Sequence, residues 1–182
     1  MAEQVSSREL TELTRGGAED AFTWLFEHFG ERIHAHAYRL LGNRQDAEDV
    51  TQETFLRAFR SIGELRDETR VGPWLFSIAS HLCLDQLRRR KLLSWLPWRW
   101  ETDEPFPSPD RGPAERAEEK DLIRQALAKL PPKDALCLTL RTVEGFSTFE
   151  VAQIIGCSEA AVWNRLARAR ERFVREYDKL NR

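Results

Sequence analysis

The sequence predicts an all-α fold: two small helical domains joined by a flexible linker, with the C-terminal domain forming a helix-turn-helix. Apolar residues recur at steps of three and four along most of the chain, and alternating strand patterns are nearly absent. A proline-rich stretch at residues 92–113 has no helical period and separates residues 1–91 from residues 114–182. In the second part, two helix boundaries follow each other closely, which is typical of a helix-turn-helix.

Three helices are predicted in the first domain. The first ends at Gly42, since glycine commonly follows the last turn of a helix. Its apolar stripe consists of Phe22, Leu25, Phe26, Phe29, Ile33, Ala37, Leu40 and Leu41. Asn43 is predicted to cap the second helix. The inward side chains of that helix are Val50, Phe55, Phe59 and Ile62. After a polar loop at residues 63–72, Pro73 suits the first turn of the third helix, which ends in the basic run at residues 88–91.

The second domain is predicted to begin near Ala114, after the linker. The aromatic first half of the linker is interpreted as a plain linker with aromatic anchors, and contact with a membrane or a partner groove is the alternative. A helix then runs to Leu130, where Pro131 and Pro132 end it. The next helix ends at Gly145. Its inward side chains are Leu136, Leu140 and Val143.

The helix-turn-helix is predicted from capping residues and spacing. Residues 147–150 have the pattern of a capping box, so a helix begins there. Gly156 is expected to make the turn, because glycine adopts a positive φ at little cost. Ser158 then caps the last helix. Ala152 four residues before the glycine and Val162 six residues after it complete a spacing in which the last helix enters the major groove of DNA.

The last helix is predicted to present one face to DNA. Its inward residues, at steps of four, three and four, are Val162, Leu166, Ala169 and Phe173. Small outward residues allow a close approach to the groove, an asparagine suits a base edge, and arginine suits guanine or phosphate. Residues 165–182 include seven basic and three acidic side chains, an excess that favours phosphate. The alternative is a solvated helix with ion pairs such as Arg168 with Glu171. The predicted DNA-binding residues here are Ser158, Ala160, Trp163, Asn164, Arg165, Ala167, Arg168 and Arg170.

Composition argues against several function classes. The net charge is −2, so DNA binding must come from local patches. Cys83, Cys137 and Cys157 lie far apart, so we expect reduced core thiols and predict no metal or cofactor site. The N-terminal segment has no apolar signal region and no apolar run reaches the length of a membrane span, so a cytoplasmic protein is expected. No nucleophile–base pair or phosphate-binding loop indicates an enzyme, and no small-molecule substrate is predicted.

Three segments resemble the extracytoplasmic-function (ECF) sigma factors, the minimal group of the sigma-seventy family of bacterial transcription initiation factors. LLGNRQDAEDVTQETFLRAF at residues 40–59 resembles the polymerase-binding region, and PWLFSIASHLCLDQLRRRK at residues 73–91 resembles the region that melts and recognises the downstream promoter element. LPPKDALCLTLRTVEGFSTFEVAQIIGCSEAAVWNRLARARERF at residues 130–173 resembles the domain that binds the upstream element. The family often has a basic residue followed by serine where this chain has Trp163 and Asn164, so a promoter sequence cannot be transferred from its relatives.

The resemblance implies three partners: core RNA polymerase, promoter DNA and an anti-sigma factor. It implies no catalytic residue, because the chemistry belongs to the polymerase. The face that the family docks on the clamp helices of the large polymerase subunit corresponds to Asp46, Glu48, Asp49, Gln52, Glu53 and Phe55. A loop at residues 66–72 lies where the family captures an unstacked base, and the ring of His81 is suited to stack on a base. The residues implied to bind the downstream element are Arg66, Arg70, His81, Arg88, Arg89, Arg90 and Lys91.

Two other functions stay open from the sequence alone. A helix-turn-helix regulator that binds DNA without docking on polymerase would need a ligand pocket or a dimerisation helix in the first domain. A helical adaptor or inhibitor without a DNA role would leave the basic residues after Arg165 without an evident purpose. The sigma factor interpretation further predicts that the two domains of the free protein pack together and hide their DNA-binding faces.

Overall fold

The computed structural model describes residues 18–61, 71–93 and 114–182, and seven helices account for nearly all of them. The helices are α1 Ala18–Leu41, α2 Arg44–Ser61, α3 Val71–Leu93, α4 Ala114–Ala128, α5 Pro132–Thr142, α6 Thr148–Ile155 and α7 Glu159–Leu180. These described ranges contain no strand, which confirms the all-α prediction.

The junction between α1 and α2 follows the predicted stop and cap. Gly42 has a φ of +68°, and its N–H donates to the carbonyl oxygen of Tyr38 at 2.9 Å. This left-handed residue ends α1 as expected for glycine. The side-chain oxygen of Asn43 accepts a hydrogen bond from the backbone N–H of Asp46 at 2.8 Å, which confirms Asn43 as the cap of α2.

Three predicted boundaries were wrong by about one half-turn, among them the end of α5, which lies at Thr142 and not next to Gly145. Helix α3 begins at Val71, inside the predicted loop at residues 63–72, so Pro73 is its third residue. Proline fits there because the first N–H groups of a helix have no intrahelical acceptor. Helix α4 ends at Ala128 rather than at Leu130, whose N–H instead donates to the carbonyl oxygen of Leu127 at 3.0 Å. The last predicted turn of that helix has therefore tightened to i→i+3 bonding.

One hydrophobic core joins the first bundle, α1–α3, to the second bundle, α4–α7. Fully buried members include Leu25 and Phe76 of the first bundle and Leu136 and Leu166 of the second. A smaller core between α1, α2 and α3 contains Ala37, Leu41, Ala47, Val50 and Cys83. The two bundles therefore contact each other over an apolar surface, as the sequence interpretation predicted for the free protein. The further prediction that this packing hides the DNA-binding faces was wrong, because His81, Trp163 and Asn164 are all exposed.

Three residues predicted to lie in the core are exposed: Phe26, Phe59 and Val143. Phe26 and Phe59 lie at the outer edge of the α1–α2 contact, where their rings pack edge-on against Phe55 and Phe22 at centroid distances of 5.1 and 5.6 Å. Val143 follows the last residue of α5. Helical period identifies a face of a helix, but it does not show where that face runs past its neighbour.

The three cysteines carry no disulfide, and Cys83 and Cys137 are buried, while Cys157 is only half-buried. Burial raises the pKa of the Cys83 and Cys137 thiols to about 12. Both are therefore protonated and unreactive, as a core thiol is expected to be.

Several sequence predictions concern residues outside the described ranges. They are Ile62, Arg66, Arg70 and residues 94–113 of the linker. The division into domains at residues 1–91, 92–113 and 114–182 stays a prediction. Among the described helices, none combines the length and the hydropathy required of a membrane span.

Candidate nucleic-acid and protein interfaces

The helix-turn-helix is built by local backbone chemistry between α6 and α7. The hydroxyl of Ser147 accepts from the N–H of Glu150 at 3.2 Å, and the Glu150 carboxylate accepts from the N–H of Ser147 at 2.7 Å. This reciprocal pair is the predicted capping box. Gly156 ends α6 in the left-handed region with a φ of +72°. The hydroxyl of Ser158 then accepts from the N–H of Ala161 at 3.2 Å and caps α7.

Helix α7 has the buried and exposed faces that the sequence predicts. Val162, Leu166 and Ala169 are buried, and Phe173 packs against the core. The opposite face is exposed and carries Ala160, Trp163, Asn164, Ala167 and Arg168. The indole of Trp163 is 54% exposed, which is unusual for so large an apolar side chain. Small, amide, aromatic and guanidinium groups therefore share one accessible strip of about two helical turns.

Two predicted DNA-binding arginines contact a carboxylate on another helix. Nη1 of Arg165 donates to Oδ1 of Asp134 at 2.9 Å, and Nε of Arg168 lies 3.9 Å from Oδ2 of the same residue. Arg168 is thus paired with Asp134 of α5, and Glu171, suggested from the sequence as its partner, contacts Arg175 instead. Sequence reasoning missed Asp134, because its contact with α7 spans 31 residues of chain.

The basic end of α3 divides into exposed and structural side chains. Arg88 and Arg89 are exposed, and Arg88 contacts Asp85 at 3.0 Å. Arg90 donates to the carbonyl oxygen of Leu41 at 2.7 Å and forms an ion pair with Asp46. The ion pair links Arg90, which is predicted to bind DNA, to Asp46, which is predicted to bind polymerase. Lys91 is exposed at the end of the same run. Burial lowers the pKa of Arg90, which remains a cation at neutral pH.

His81 lies on the exposed surface of α3, where its Nδ1 is 2.7 Å from the carbonyl oxygen of Ser77. The hydroxyl of Ser77, one turn earlier, donates to the carbonyl oxygen of Ile154 in α6 at 3.2 Å. The C-terminal end of α6 therefore lies about one helical turn away from the ring that the sequence predicts to stack on a base.

The polar face of α2 is present, with two exceptions. The Asp46 carboxylate is bound by Arg90 and by Nε2 of Gln86, at 3.0 Å, so it holds α3 against α2. Asp49 and Gln52 are exposed, and Glu48 and Glu53 form ion pairs with Arg44 and Arg57 at 2.6 and 2.7 Å. Phe55 does not belong to that face. It is only 2% exposed, and its ring contacts Phe22 and Phe26. Leu56, four residues after Gln52, is an exposed apolar side chain beside this face, and sequence reasoning did not select it.

The contact between the bundles contains a buried carboxylate. Glu144, between α5 and α6, accepts from Nη1 of Arg39 at 2.7 Å and from Nη2 of Arg32 at 3.4 Å. The Glu144 side chain is 4% exposed, and both arginines belong to α1. Beside this pair, the rings of Phe76 and Phe146 meet edge-to-face at 5.1 Å. Polar and apolar contacts thus both hold the second bundle against the first.

Comparisons with known proteins identify the family. The Sigma-70 region 2 model matches residues 25–92, and the Sigma-70 region 4 model matches residues 120–173. The ECF RNA polymerase sigma factor SigM of Mycobacterium tuberculosis is 31% identical over 176 residues, which cover 97% of this chain and 87% of SigM. The chain belongs to the ECF sigma factor family.

The region 2 match of this ECF sigma factor takes in most of α1 and all of α2, with the polar face, and α3 up to Leu92. The region 4 match takes in the helix-turn-helix up to Phe173. A further relative, the ECF sigma factor BldN of Streptomyces coelicolor, is 33% identical over 157 residues, or 85% of this chain. The chain spans 59% of the length of BldN.

Solved structures share the fold. CnrH, determined in complex with the cytosolic domain of CnrY, matches with a TM-score of 0.72 and 25% identity over 96% of this chain and 99% of CnrH. The sigma factor RpoE of Bartonella quintana, determined with the anti-sigma factor NepR, also matches with a TM-score of 0.72. Its identity is 23% over 88% of this chain and 98% of RpoE, which shows a common fold.

Proposed function

We propose that this ECF sigma factor directs core RNA polymerase to a set of promoters and initiates transcription there. One observation supports this proposal above all. The chain contains, in order, a region 2 bundle with an exposed polar face on α2 and a region 4 helix-turn-helix with an exposed face on α7. The chain itself catalyses no step in this account. It acts in the cytoplasm, where the polymerase and the promoters are.

On the duplex, α7 inserts its exposed strip into the major groove of the upstream element. Asn164 is suited to pair with the edge of a base, and Arg168 is suited to bind guanine or phosphate. Trp163 lies at the exposed start of the same strip, where its indole can pack on a sugar or a thymine methyl group. Ser158 and the small residues Ala160 and Ala167 allow the backbone of α7 to approach the groove.

On the opened strand, α3 provides the contacts. The exposed ring of His81 stacks on an unpaired base, and the exposed guanidinium groups of Arg88 and Arg89 follow the phosphates. Arg90 assists indirectly, because it ties the end of α3 to Leu41 and Asp46. Arg66 and Arg70 are proposed to hold the same strand, although they lie outside the described residues.

On the polymerase, the docking surface is the exposed part of α2. Asp49 and Gln52 make its polar centre, Glu48 and Glu53 flank them, and Leu56 adds an exposed apolar side chain. Such a surface suits a partner that offers basic and polar groups around an apolar contact. Phe55 supports the surface from inside the core.

The packed arrangement of the two bundles represents the free protein. Helix α6 contacts α3, and Glu144 contacts α1, so the two bundles are held close together. In this state the two bundles cannot bind two DNA elements that lie apart on a promoter. Polymerase binding therefore separates the bundles, and an anti-sigma factor would stabilise the free form. A helix-turn-helix regulator without polymerase docking is not favoured, because the first bundle matches region 2.

Run-off transcription tests the proposed function. Core polymerase is incubated with a genomic fragment library, with and without the purified chain, and the transcript starts are sequenced. New starts that share two spaced sequence elements support the proposal. Identical transcripts in both reactions overturn it.

A further inference from the structure

Asp134 is a buried carboxylate in the first turn of α5 that contacts the DNA-binding helix. Its side chain is 8% exposed, and its two oxygens face Arg165 at 2.9 Å and Arg168 at 3.9 Å. The two arginines are three residues apart and therefore neighbours on one side of α7. Asp134 is thus shared between two cations of a helix that carries six basic and four acidic side chains.

We propose that Asp134 is a positioning residue for promoter recognition, which holds Arg165 off the DNA and aims Arg168 at it. This inference rests on the proposed function of α7 in the upstream element. It assigns different roles to two arginines that the sequence places together as DNA contacts.

Burial and hydrogen bonding separate the two arginines. The Arg165 side chain is 27% exposed, and its Nε is buried without a hydrogen-bond partner among the described residues. A guanidinium held by one carboxylate in this way cannot turn outward without losing that bond. The Arg168 side chain is 63% exposed, and its 3.9 Å contact is an ion pair without a hydrogen bond. Its donors therefore remain available for a base or a phosphate.

The position of Arg168 makes its orientation important for selectivity. It lies four residues after Asn164, so the two side chains are adjacent along the exposed strip and can contact neighbouring base pairs. An arginine contributes to base discrimination only when its fork meets guanine in one geometry, whereas a freely moving arginine binds any phosphate. The Asp134 carboxylate restrains Arg168 from behind while its outer surface stays open.

Charge balance gives the same assignment. Every cation that reaches a phosphate adds to sequence-independent binding and to its salt dependence. Asp134 neutralises one cation of α7 inside the protein. Without that carboxylate, Arg165 is expected to swing out and make one more phosphate contact. Affinity for all duplexes would then rise, while discrimination between them would fall.

The experiment compares Asp134→Asn with the wild-type chain, each as holoenzyme with core polymerase. The probes are a duplex enriched from a random-sequence pool by the wild-type holoenzyme and an unrelated duplex of equal length. Binding is measured by fluorescence anisotropy over a range of salt concentrations. For Asp134→Asn we expect tighter binding of the unrelated duplex. The salt slope, that is the slope of log K against log salt concentration, should be steeper by about 0.9 per added phosphate contact. Discrimination between the two duplexes should be about tenfold lower.

Two further variants separate positioning from charge and from stability. Glu171→Gln removes one negative charge from α7 without touching Asp134, and it should keep the wild-type discrimination. The double variant Asp134→Asn with Arg165→Gln removes the pair and should return the salt slope to the wild-type value, while discrimination stays low. It carries the test if Asp134→Asn alone is unfolded at the assay temperature.

Three results would overturn the inference. The first is wild-type discrimination in Asp134→Asn or in the double variant. The second is an equal loss of affinity for both duplexes in Asp134→Asn, and the third is the same loss of discrimination in Glu171→Gln. A wild-type holoenzyme that enriches no duplex from the pool would instead overturn the proposed function, and this inference with it.

Discussion

Nη1 of Arg39 in α1 donates a hydrogen bond of 2.7 Å to Oε1 of Glu144, 105 residues later in the chain. Arg32, about two turns earlier in α1, contacts the other oxygen of the same carboxylate. The pair joins the bundle that matches region 2 to the one that matches region 4. It lies beside the apolar contact of Phe76 with Phe146, so the packed arrangement depends on both kinds of interaction.

Replacement of Glu144 is expected to loosen this arrangement. Glu144→Ala leaves Arg32 and Arg39 without their shared acceptor and should lower the free energy of unfolding by about 1–3 kcal/mol. Small-angle scattering should show a larger radius of gyration, because separated bundles become more populated. Glu171→Ala, which removes an exposed carboxylate from α7, serves as the control. An unchanged radius of gyration in Glu144→Ala would show that the ion pair does not hold the bundles together.

The exposed strip of α7 predicts separable effects on promoter choice. Asn164→Ala and Arg168→Ala should each cost about 1–3 kcal/mol of discrimination between promoter and unrelated duplex. Their association with polymerase should be retained, because both side chains lie outside the first bundle. Arg175→Ala removes a cation further along α7 and should weaken binding to all duplexes alike. Normal initiation from the native promoter by both the Asn164 and Arg168 variants would disprove the assignment of this face.

Substitutions on the polar face of α2 should weaken binding to polymerase, in contrast to the α7 substitutions, which should retain it. Asp49→Ala combined with Gln52→Ala should weaken association with core polymerase at least about tenfold, equal to about 1.4 kcal/mol. The fold should be unchanged, because both side chains are exposed. The association can be followed by anisotropy with a dye on the chain, and Glu171→Ala again supplies the control. Wild-type affinity in the double variant would place the docking surface elsewhere.

Buried His36 predicts a dependence of stability on pH. Its ring is fully buried, lies 3.2 Å from the hydroxyl of Ser80 and meets Phe76 edge-on. Burial, assisted by the charge of Arg39, lowers the pKa of His36 from 6.5 to about 3. The unfolded chain therefore takes up a proton below pH 6.5 that the folded chain refuses until about pH 3. Above pH 6.5 the ring is neutral in both states and the free energy of unfolding is not reduced. Below pH 6.5 the free energy of unfolding falls by about 1.4 kcal/mol per pH unit.

Urea unfolding at pH 7.5 and at pH 5 measures this effect. The free energy of unfolding should fall by roughly 1.4 kcal/mol for each pH unit below the pKa of a free histidine. His36→Gln should show a smaller loss of stability between the two pH values than the wild-type chain. His81→Gln, which changes an exposed ring on α3, is the matched control. Equal pH dependence in the wild type and in His36→Gln would mean that other groups account for the loss.

Local chemistry explains why the helix-turn-helix was predictable from the sequence. The capping box of Ser147 with Glu150, the positive φ of Gly156 and the cap at Ser158 each depend on residues within a few positions of one another. The inward face of α7 follows from helical period alone. These features need no knowledge of the remaining chain.

Long-range contacts explain what the sequence did not show. Asp134 and Glu144 are ordinary acidic residues in the sequence, and only the packing of distant helices brings arginines to them. Helical period correctly directed Phe55 inward, but it also directed Phe26 and Phe59 inward, and these two are exposed at the outer edge of the α1–α2 contact. The link of Arg90 to Asp46 joins two predicted sites in the same way.

The central claim is that one bundle engages polymerase while the other engages duplex DNA. Association of the purified full-length chain with core polymerase, measured by anisotropy in the absence of DNA, tests it most directly. The account predicts saturable binding that the Asp49 and Gln52 substitutions weaken and the Asn164 and Arg168 substitutions leave intact. No binding to core polymerase, with selective binding of the free chain to duplex DNA, would contradict it and describe a helix-turn-helix protein that acts alone.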